Sequence, residues 1–549
     1  MPADPYGGFM SGVFTRPKKD ASLRFILNLK NLNQFVEYKH FKMESIYNVF
    51  DLIQPGAYMA SVDLKDAFYS IPIFYNHQKY LKFCFNGATY MFTCMPNGYG
   101  PAMRVFTKVL KAPFAYLREK NHISVVYVDD TWLQGTTYEE CLDNISDTIN
   151  LLRSLGFTIH IDKSIIIPTQ VITFLGFVFN SVNMTVTLTN DKKQKIYNLC
   201  NNLLNNKKLL IRDLASIIGN IVASFPGVPY GKLHYRSLEY NKILALKCNK
   251  GNFDSKCYLS NDSVKELYWW KNSILDSFAY IRVPPIELTI FTDASNEGWG
   301  ITNDITPSGG RWLEDELEYH INVKELLAIK FGLLSYGIPK KYNHIRIMSD
   351  NTTAIAYINN MGGIKSSTCN EVAKDIWLCC EKHNIWISAA FIPGKENKAA
   401  DKKSREFDDA TEWQLSTNVF YEICQNFGFP DIDLFASRNN KQIDKYVSWK
   451  PEPDAYAVDA FSIQWSNDFM YIFPPFSIVG KVMRKIIEEK VRAILIIPYW
   501  PTQYWYPMAI RAATEVMVLR TSESFLRLSH DKDKVHPLFP KLKLRALLI

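Results

Sequence analysis

Two adjacent carboxylates, Asp129 and Asp130, interrupt the apolar run "VVYVDDTWLQG" (Val125–Gly135). Side by side between strand-forming stretches, they repel each other and are costly to desolvate, so the arrangement calls for something that neutralises them. A third carboxylate, Asp63, closes the apolar strand "ASVDL". Three carboxylates at strand ends offer the hard oxygen ligands that Mg²⁺ or Mn²⁺ takes. Two such ions about 3.5–4 Å apart stabilise both the attacking and the leaving oxygen of an in-line phosphoryl displacement. A bare Asp-Asp is also an ordinary hairpin turn. The full string YVDD is rarer, expected by chance only about a few times in a thousand chains of this length.

A second set is spread over the strings "FTDASNEGWG", "NVKELLAI", "IMSDN" and "NKAADKKSR", which contribute Asp293, Glu325, Asp350 and Asp401. Each has a local use: Asn322 with Glu325 as a helix capping pair, Asp350 as a cap, Asp401 as a loop charge. Together they place one acid each at the edge of a strand or helix. The apolar period of Val323, Leu326, Leu327, Ile329, Phe331 and Leu334 buries one helix face. That leaves Glu325 near the first turn, within reach of metals held by the strand acids. With water as the nucleophile, such a site hydrolyses phosphodiesters.

The elements that must position these acids follow from pattern and length. At 549 residues, with 47% hydrophobic and 21% charged content, the chain predicts several packed domains and no extended disorder. A net charge of +8 permits a polyanionic partner. Ten cysteines without a CxxC pair, and no early apolar leader, predict a reduced protein of the cytoplasm or nucleus without structural zinc. No apolar run is long enough for a bilayer, so no membrane is expected. Leu142, Ile145, Ile149, Leu152 and Leu155 lie at helical spacing up to Gly156, and "TFLGFVFNSVNMTVTL" (Thr173–Leu188) reads as a hairpin turning at Asn180–Asn183. The character is helical from about Asn190 to Arg282, and "VPP" (Val283–Pro285) reads as a boundary. Strands at "LTIFTDAS", "GWGIT", "HIRIMSDN" and "ISAAFIPG" alternate later with helices, which predicts a mixed sheet.

In order along the chain, "SVDLKDAFYSIPI", "MPNGYGPAMRVFTKVL", "YVDD", "IDKS" and "FLGFVF" resemble the successive palm motifs of reverse transcriptases. The resemblance implies that Asp63, Asp129 and Asp130 are the polymerase metal ligands, Asp129 the stronger of the adjacent pair. It makes Phe68 the aromatic gate against a ribose 2′-OH. "RPKKDASLRFILNLKNLN" (Arg16–Asn33) resembles the fingers segment, in which Lys18 or Lys19, with Arg24, would hold the triphosphate. Asn97 and Gly98 fall at the nucleotide-binding motif, and Phe174, Leu175 and Gly176 at the primer grip. Two departures stand out: Asn28 replaces the family's usual Asp, and Asn97 its Gln or Phe. The chain begins only a few residues before the fingers-like segment, which predicts an N-terminally incomplete copy.

The D-E-D-D order of the second set resembles the ribonuclease H fold, and the stretch between falls where a thumb and connection would be. There Lys192, Lys193 and Lys195 would contact the duplex backbone. The whole order, followed by "DIDLFASRNNKQIDKYVSWKPEPDAYAVDAFSIQW" and "YIFPPFSIVGKV", resembles the polyprotein of DIRS-type retrotransposons, which work with a tyrosine recombinase. In that family the last region is likened to adenine methyltransferases, which use an Asp or Asn before Pro-Pro-aromatic. Here Phe473 stands in that place, so a degenerate domain or a structural platform is also open.

The expected fold is therefore α/β and α+β multidomain: a right-hand palm, fingers and thumb, a ribonuclease H-like mixed sheet with helices, and a C-terminal α/β domain. The expected domains are 1–189 (fingers and palm), 190–285 (thumb and connection), 286–410 (nuclease), 411–429 (linker) and 430–549. The expected function is RNA-directed DNA polymerase with ribonuclease H, using two Mg²⁺ or Mn²⁺ ions per active site. The expected partners are an RNA template, a DNA primer, the RNA–DNA hybrid, deoxynucleoside triphosphates and an element-encoded recombinase. The alternative is a decayed or domesticated copy that binds nucleic acid without chemistry.

Overall fold

The computed structural model describes residues 1, 3–4, 6–17, 23–206, 209–340, 342–409, 412–465 and 468–549. The chain separates into two compact units, Met1–Arg282 and Val283–Ile549. The expected triphosphate ligands Lys18 and Lys19 lie outside the described residues.

The first unit is built on an antiparallel sheet. Its strands lie in the order Ile123–Tyr127, Asp130–Gly135 and Tyr58–Lys65, with Thr158–Ile159 and Ile165–Thr169 both pairing to the far side of Tyr58–Lys65. The helices Ala102–Glu119 and Tyr138–Ser154 bring Phe106, Leu110, Phe114, Ile145 and Leu152 into one core with Val62, Leu64 and Leu133 of the sheet. The second helix starts where the Thr137 side chain accepts the amide of Glu140, and Gly156 follows its end with φ +87°. The Gly156 end matches the sequence pattern, and the Thr137 cap is an addition from the structure. A separate hairpin, Val13–Pro17 with Leu23–Leu27, sets Arg16 directly opposite Arg24.

The helical stretch forms the helices Asn190–Asn205, Ile211–Ser224, Arg236–Cys248 and Asn261–Ser273. Its apolar faces share one core with Met59, Val125 and Trp132 of the sheet, so it is fused to that sheet. The expected single hairpin at Thr173–Leu188 is two: strands Val171–Phe174, Phe177–Asn180 and Thr185–Leu188 pair in sequence. The extra turn is "FLGF" itself, because Leu175 and Gly176 both take left-handed conformations, φ +48° and +77°.

The second unit opens with a mixed sheet in the order Ser308–Arg311, Gly298–Thr302, Leu288–Ala294, His344–Ser349 and Trp386–Phe391. The first three pair antiparallel and the last two join in parallel. The helix Ile321–Gly332 buries Val323, Leu326, Ala328, Ile329 and Phe331. A second sheet runs Ile432–Asp433, Met470–Ile472, Ala493–Pro498, Leu544–Leu548 and Glu515–Val518, parallel through its first three strands. The expected linker 411–429 is a correction. It carries the strand Gln414–Leu415 and the helix Thr417–Phe427, whose Phe420, Ile423, Cys424 and Phe427 are buried in the core of this second sheet. Polar neighbours hid an amphipathic period there.

The outer edge of the first sheet is covered by the C-terminal domain. Lys450 Nζ donates to the Gly309 carbonyl at 2.6 Å, and Asn439 Nδ2 to that of Arg311 at 3.3 Å. Ser308 Oγ donates to the Pro451 carbonyl, and Arg438 makes a two-pronged, nearly buried pair with Glu316 at 2.6 and 2.8 Å.

Candidate active sites

In the first unit Asp63 and Asp130 face each other across paired antiparallel strands. Burial, followed by the charges of Asp129 and Asp63, pushes the Asp130 carboxyl up to about 6. Asp63 is raised as well, by burial first, with the Lys163 charge opposing. Like charges crowded in a partly dry site raise one another's carboxyls in this way. The hairpin that holds the pair is strained: Val128, a buried β-branched residue, has φ +57°. Such residues rarely enter the left-handed region, and strain of this kind concentrates at functional sites. Asp129 projects beyond that turn and is exposed. Its backbone carbonyl accepts the Leu64 amide at 3.0 Å, while Ser164 Oγ accepts the Asp63 amide at 3.0 Å.

Phe68 lies half-buried five residues past Asp63, on a short 3₁₀ turn entered through the left-handed Asp66. Its ring stands edge-on to Phe106 at 5.4 Å. Asn97 Nδ2 donates to the Tyr69 hydroxyl at 3.0 Å. Burial raises the Tyr69 phenol, and the Asn97 hydrogen bond acts against it. Two arginines placed opposite each other on the same hairpin, Arg16 and Arg24, repel and favour an anion beside them. Gly98 contributes through its backbone: φ is +101°, and a Cβ there would sit 2.6 Å from the Leu27 carbonyl oxygen. Tyr69, Lys163 and Ser164 were not singled out from the sequence, although they lie inside the quoted "SVDLKDAFYSIPI" and "IDKS".

The Phe174–Gly176 turn is clamped by Lys192, whose Nζ donates to the Leu175 carbonyl at 3.0 Å and sits 4.9 Å from the centre of the Phe177 ring. Lys193 is buried and donates to the Leu275 carbonyl at 2.9 Å. Of the three lysines expected to face a duplex, these two are committed to the fold, and Lys195 alone is exposed.

In the second unit Asp293, Glu325 and Asp350 converge, with one ligand oxygen of each within 4.8 Å of the others. Asp293 ends the central strand, Asp350 follows the neighbouring parallel strand, and Glu325 lies one turn into the helix that packs on them. The local uses fall away: His320 and Asn351 cap the two helices. Burial, then the charges of Asp293 and Asp350, raises Glu325 to about 8. Its Oε2 is buried without a hydrogen-bond partner. An orphan oxygen in an all-oxygen triad fits a divalent cation. Gly394 makes room, since a Cβ there would lie 2.9 Å from Asp350 Oδ2.

Asp401 lies outside this triad, on the helix Lys398–Arg405, where its Oδ1 accepts from Arg405 at 2.8 Å. It still acts on the triad. Its charge raises Asp293, after burial, and Ser404 of the same helix donates to Asp293 Oδ2 at 2.7 Å. The helix reaches that close because Gly300 and Gly309 present no side chain; a Cβ on either would overlap the carbonyl of Ala400 or Lys403. Asn397 fixes the helix start by donating to the Thr292 carbonyl at 2.9 Å. Asn397 and Ser404 went unread because their roles depend on a strand about a hundred residues away.

Residues 16–179 match the family model of "Reverse transcriptase (RNA-dependent DNA polymerase)", and residues 396–536 that of "DNA N-6-adenine-methyltransferase (Dam)". The chain thus carries a reverse transcriptase domain. More particularly, the domain is of the kind found in viral and retroelement polyproteins. The Pro-Pol polyprotein of Simian foamy virus type 1 is 24% identical over 229 residues, 39% of this chain and 20% of that protein. A polyprotein of Cassava vein mosaic virus is 23% identical over 406 residues, 71% of this chain and 59% of that protein. The chain thus spans from about a fifth to under two thirds of the length of these relatives. Among solved structures, foamy viral protease-reverse transcriptase in complex with dsDNA is similar at TM-score 0.46 and 17% identity, over 72% of this chain and 79% of that one.

Proposed function

We propose that this chain is an RNA-directed DNA polymerase joined to a ribonuclease H, from a DIRS-type element that also uses a tyrosine recombinase. The observation that carries the polymerase is the opposition of Asp63 and Asp130 across paired strands, with Asp129 on the strained turn beside them. Bound there, two Mg²⁺ or Mn²⁺ ions would supply Lewis-acid stabilisation of the attacking primer oxygen and the leaving pyrophosphate. The protein's own groups do the rest. Asp63, Asp129 and Asp130 hold the ions, and Arg24, with Lys18 or Lys19, neutralises the triphosphate. Asn97 and Tyr69 position the incoming deoxynucleotide, and Phe68 packs where a 2′-OH would sit.

The nuclease reading is supported by the buried triad Asp293, Glu325 and Asp350, with Asp401 beside it. These acids would hold ions that activate a water against the RNA strand of the hybrid. Order supports the element type: a reverse transcriptase domain, a D-E-D-D set, then a methyltransferase-like region.

The test is Mg²⁺-dependent extension of a DNA primer on RNA, alongside cleavage of an RNA–DNA hybrid. Asp129→Asn is expected to abolish extension and spare cleavage, and Glu325→Gln to do the reverse. Loss of both activities in either folded variant would contradict two independent sites. A folded wild-type protein that binds hybrid and does neither would establish the domesticated copy instead.

A further inference from the structure

The C-terminal domain contains a cavity of about 720 Å³ that neither set of acids uses. It lies at the carboxyl ends of the parallel strands Ile432–Asp433 and Met470–Ile472, where the segments Leu434–Ser437 and Phe473–Phe476 leave the sheet. Open α/β sheets bind ligands in that position, and the volume is that of a small-molecule site.

The matched methyltransferase family implies a methyl donor and an adenine amino group as acceptor, and the residues here do not fit that transfer. A transferase needs a polar group before Pro-Pro to accept a hydrogen bond from the amine as it turns nucleophilic. Phe473 stands there and accepts none. No glycine lines the cavity among the described residues, so no amide-rich loop is offered to an anion either.

What the lining does offer is specific. Trp413, Phe435, Phe473 and Phe476 present aromatic surface for a flat ring. The charged groups are the carboxylates Asp408, Glu412 and Asp459, and no Lys or Arg lines the cavity among the described residues. His536, the one other titratable lining group, is held below its usual range by burial and so stays neutral at pH 7. A phosphate would meet like charge and no donor of opposite sign. Amino and hydroxyl groups would meet acceptors. Asp459 also holds a left-handed backbone, φ +63°, at the rim.

We propose that this cavity binds a free, unphosphorylated nucleoside and transfers no methyl group. The experiment is equilibrium dialysis of the full-length protein against labelled adenosine, with adenosine 5′-monophosphate and a short single-stranded oligonucleotide as competitors. Adenosine is expected to be retained at sub-millimolar concentration, the monophosphate to compete at least tenfold more weakly, and the oligonucleotide not to compete. Phe473→Ala is expected to weaken adenosine at least tenfold while hybrid cleavage persists as the check on folding. Asp459→Asn, at an exposed position, is expected to narrow the gap between nucleoside and monophosphate. No retention at millimolar adenosine, equal competition by the monophosphate, displacement by the oligonucleotide, or methyl transfer from S-adenosylmethionine to DNA would each overturn the proposal.

Discussion

At the scale of the residue, Phe68 and Glu325 carry the sharpest expectations. Phe68 is half-buried, with its ring edge on Phe106, so one side is committed to the core and the other is left open five residues past Asp63. Phe68→Val should lower the preference for deoxy- over ribonucleotides about tenfold or more, equivalent to ~1.4 kcal/mol. Single-nucleotide incorporation with each class measures it, and an unchanged ratio would make Phe68 an ordinary core residue. Glu325 titrates in the opposite sense to most acids, since burial lifts it from about 4.5 to about 8. Between those values the unfolded chain has released a proton that the metal-free folded chain still holds. Stability therefore falls as pH rises through that window. In chelator, the melting temperature should drop from pH 5.5 to 8, and Glu325→Gln should flatten the drop. Mg²⁺ should restore stability most at pH 8, because it binds the ionised carboxylate.

Elements explain which charges are committed to the fold and which stay exposed. The helix Asn190–Asn205 carries Lys193 on its buried face and Lys195 on its exposed one. Lys193→Ala should lower the melting temperature, at a cost of about 1–3 kcal/mol, and leave the salt dependence of duplex binding unchanged. Lys195→Ala should reduce the slope of log affinity against log salt by about 1 with little effect on melting. Binding titrations at several salt concentrations separate the two. The sequence distinguished neither lysine, because a basic run has no face until the helix has a partner. It was far more legible where period and punctuation agree: the Tyr138–Ser154 helix with its Gly156 stop, the strands carrying Asp63 and Asp293, and the strand that leads into Asp350. The Asp293–Glu325–Asp350 cluster could be read because each acid interrupts a strong apolar pattern. The Asp401–Arg405 pair, the two-turn reading of "FLGF" and the helix Thr417–Phe427 could not, since each depends on packing by distant residues or on left-handed backbone that composition does not announce.

At the scale of the whole molecule, the second unit joins two sheets through Arg438, Lys450 and Asn439. Glu316 is nearly buried in that joint, and breaking such a pair costs about 3–5 kcal/mol. A Val283–Asp409 fragment should therefore melt well below Val283–Ile549, and scanning fluorimetry of the two would show it. Equal melting would mean that the joint contributes no stability. The covered strand Ser308–Arg311 has one further consequence. Its outward carbonyls at Gly309 and Arg311 are occupied by side chains of the same molecule, so no second chain can add a strand there. Stripped of that cover, the strand would become a template for edge-to-edge pairing, so the shortened protein should self-associate as well as lose stability. The C-terminal domain thus covers, whatever it binds, a strand edge that its neighbour would otherwise leave open to pairing.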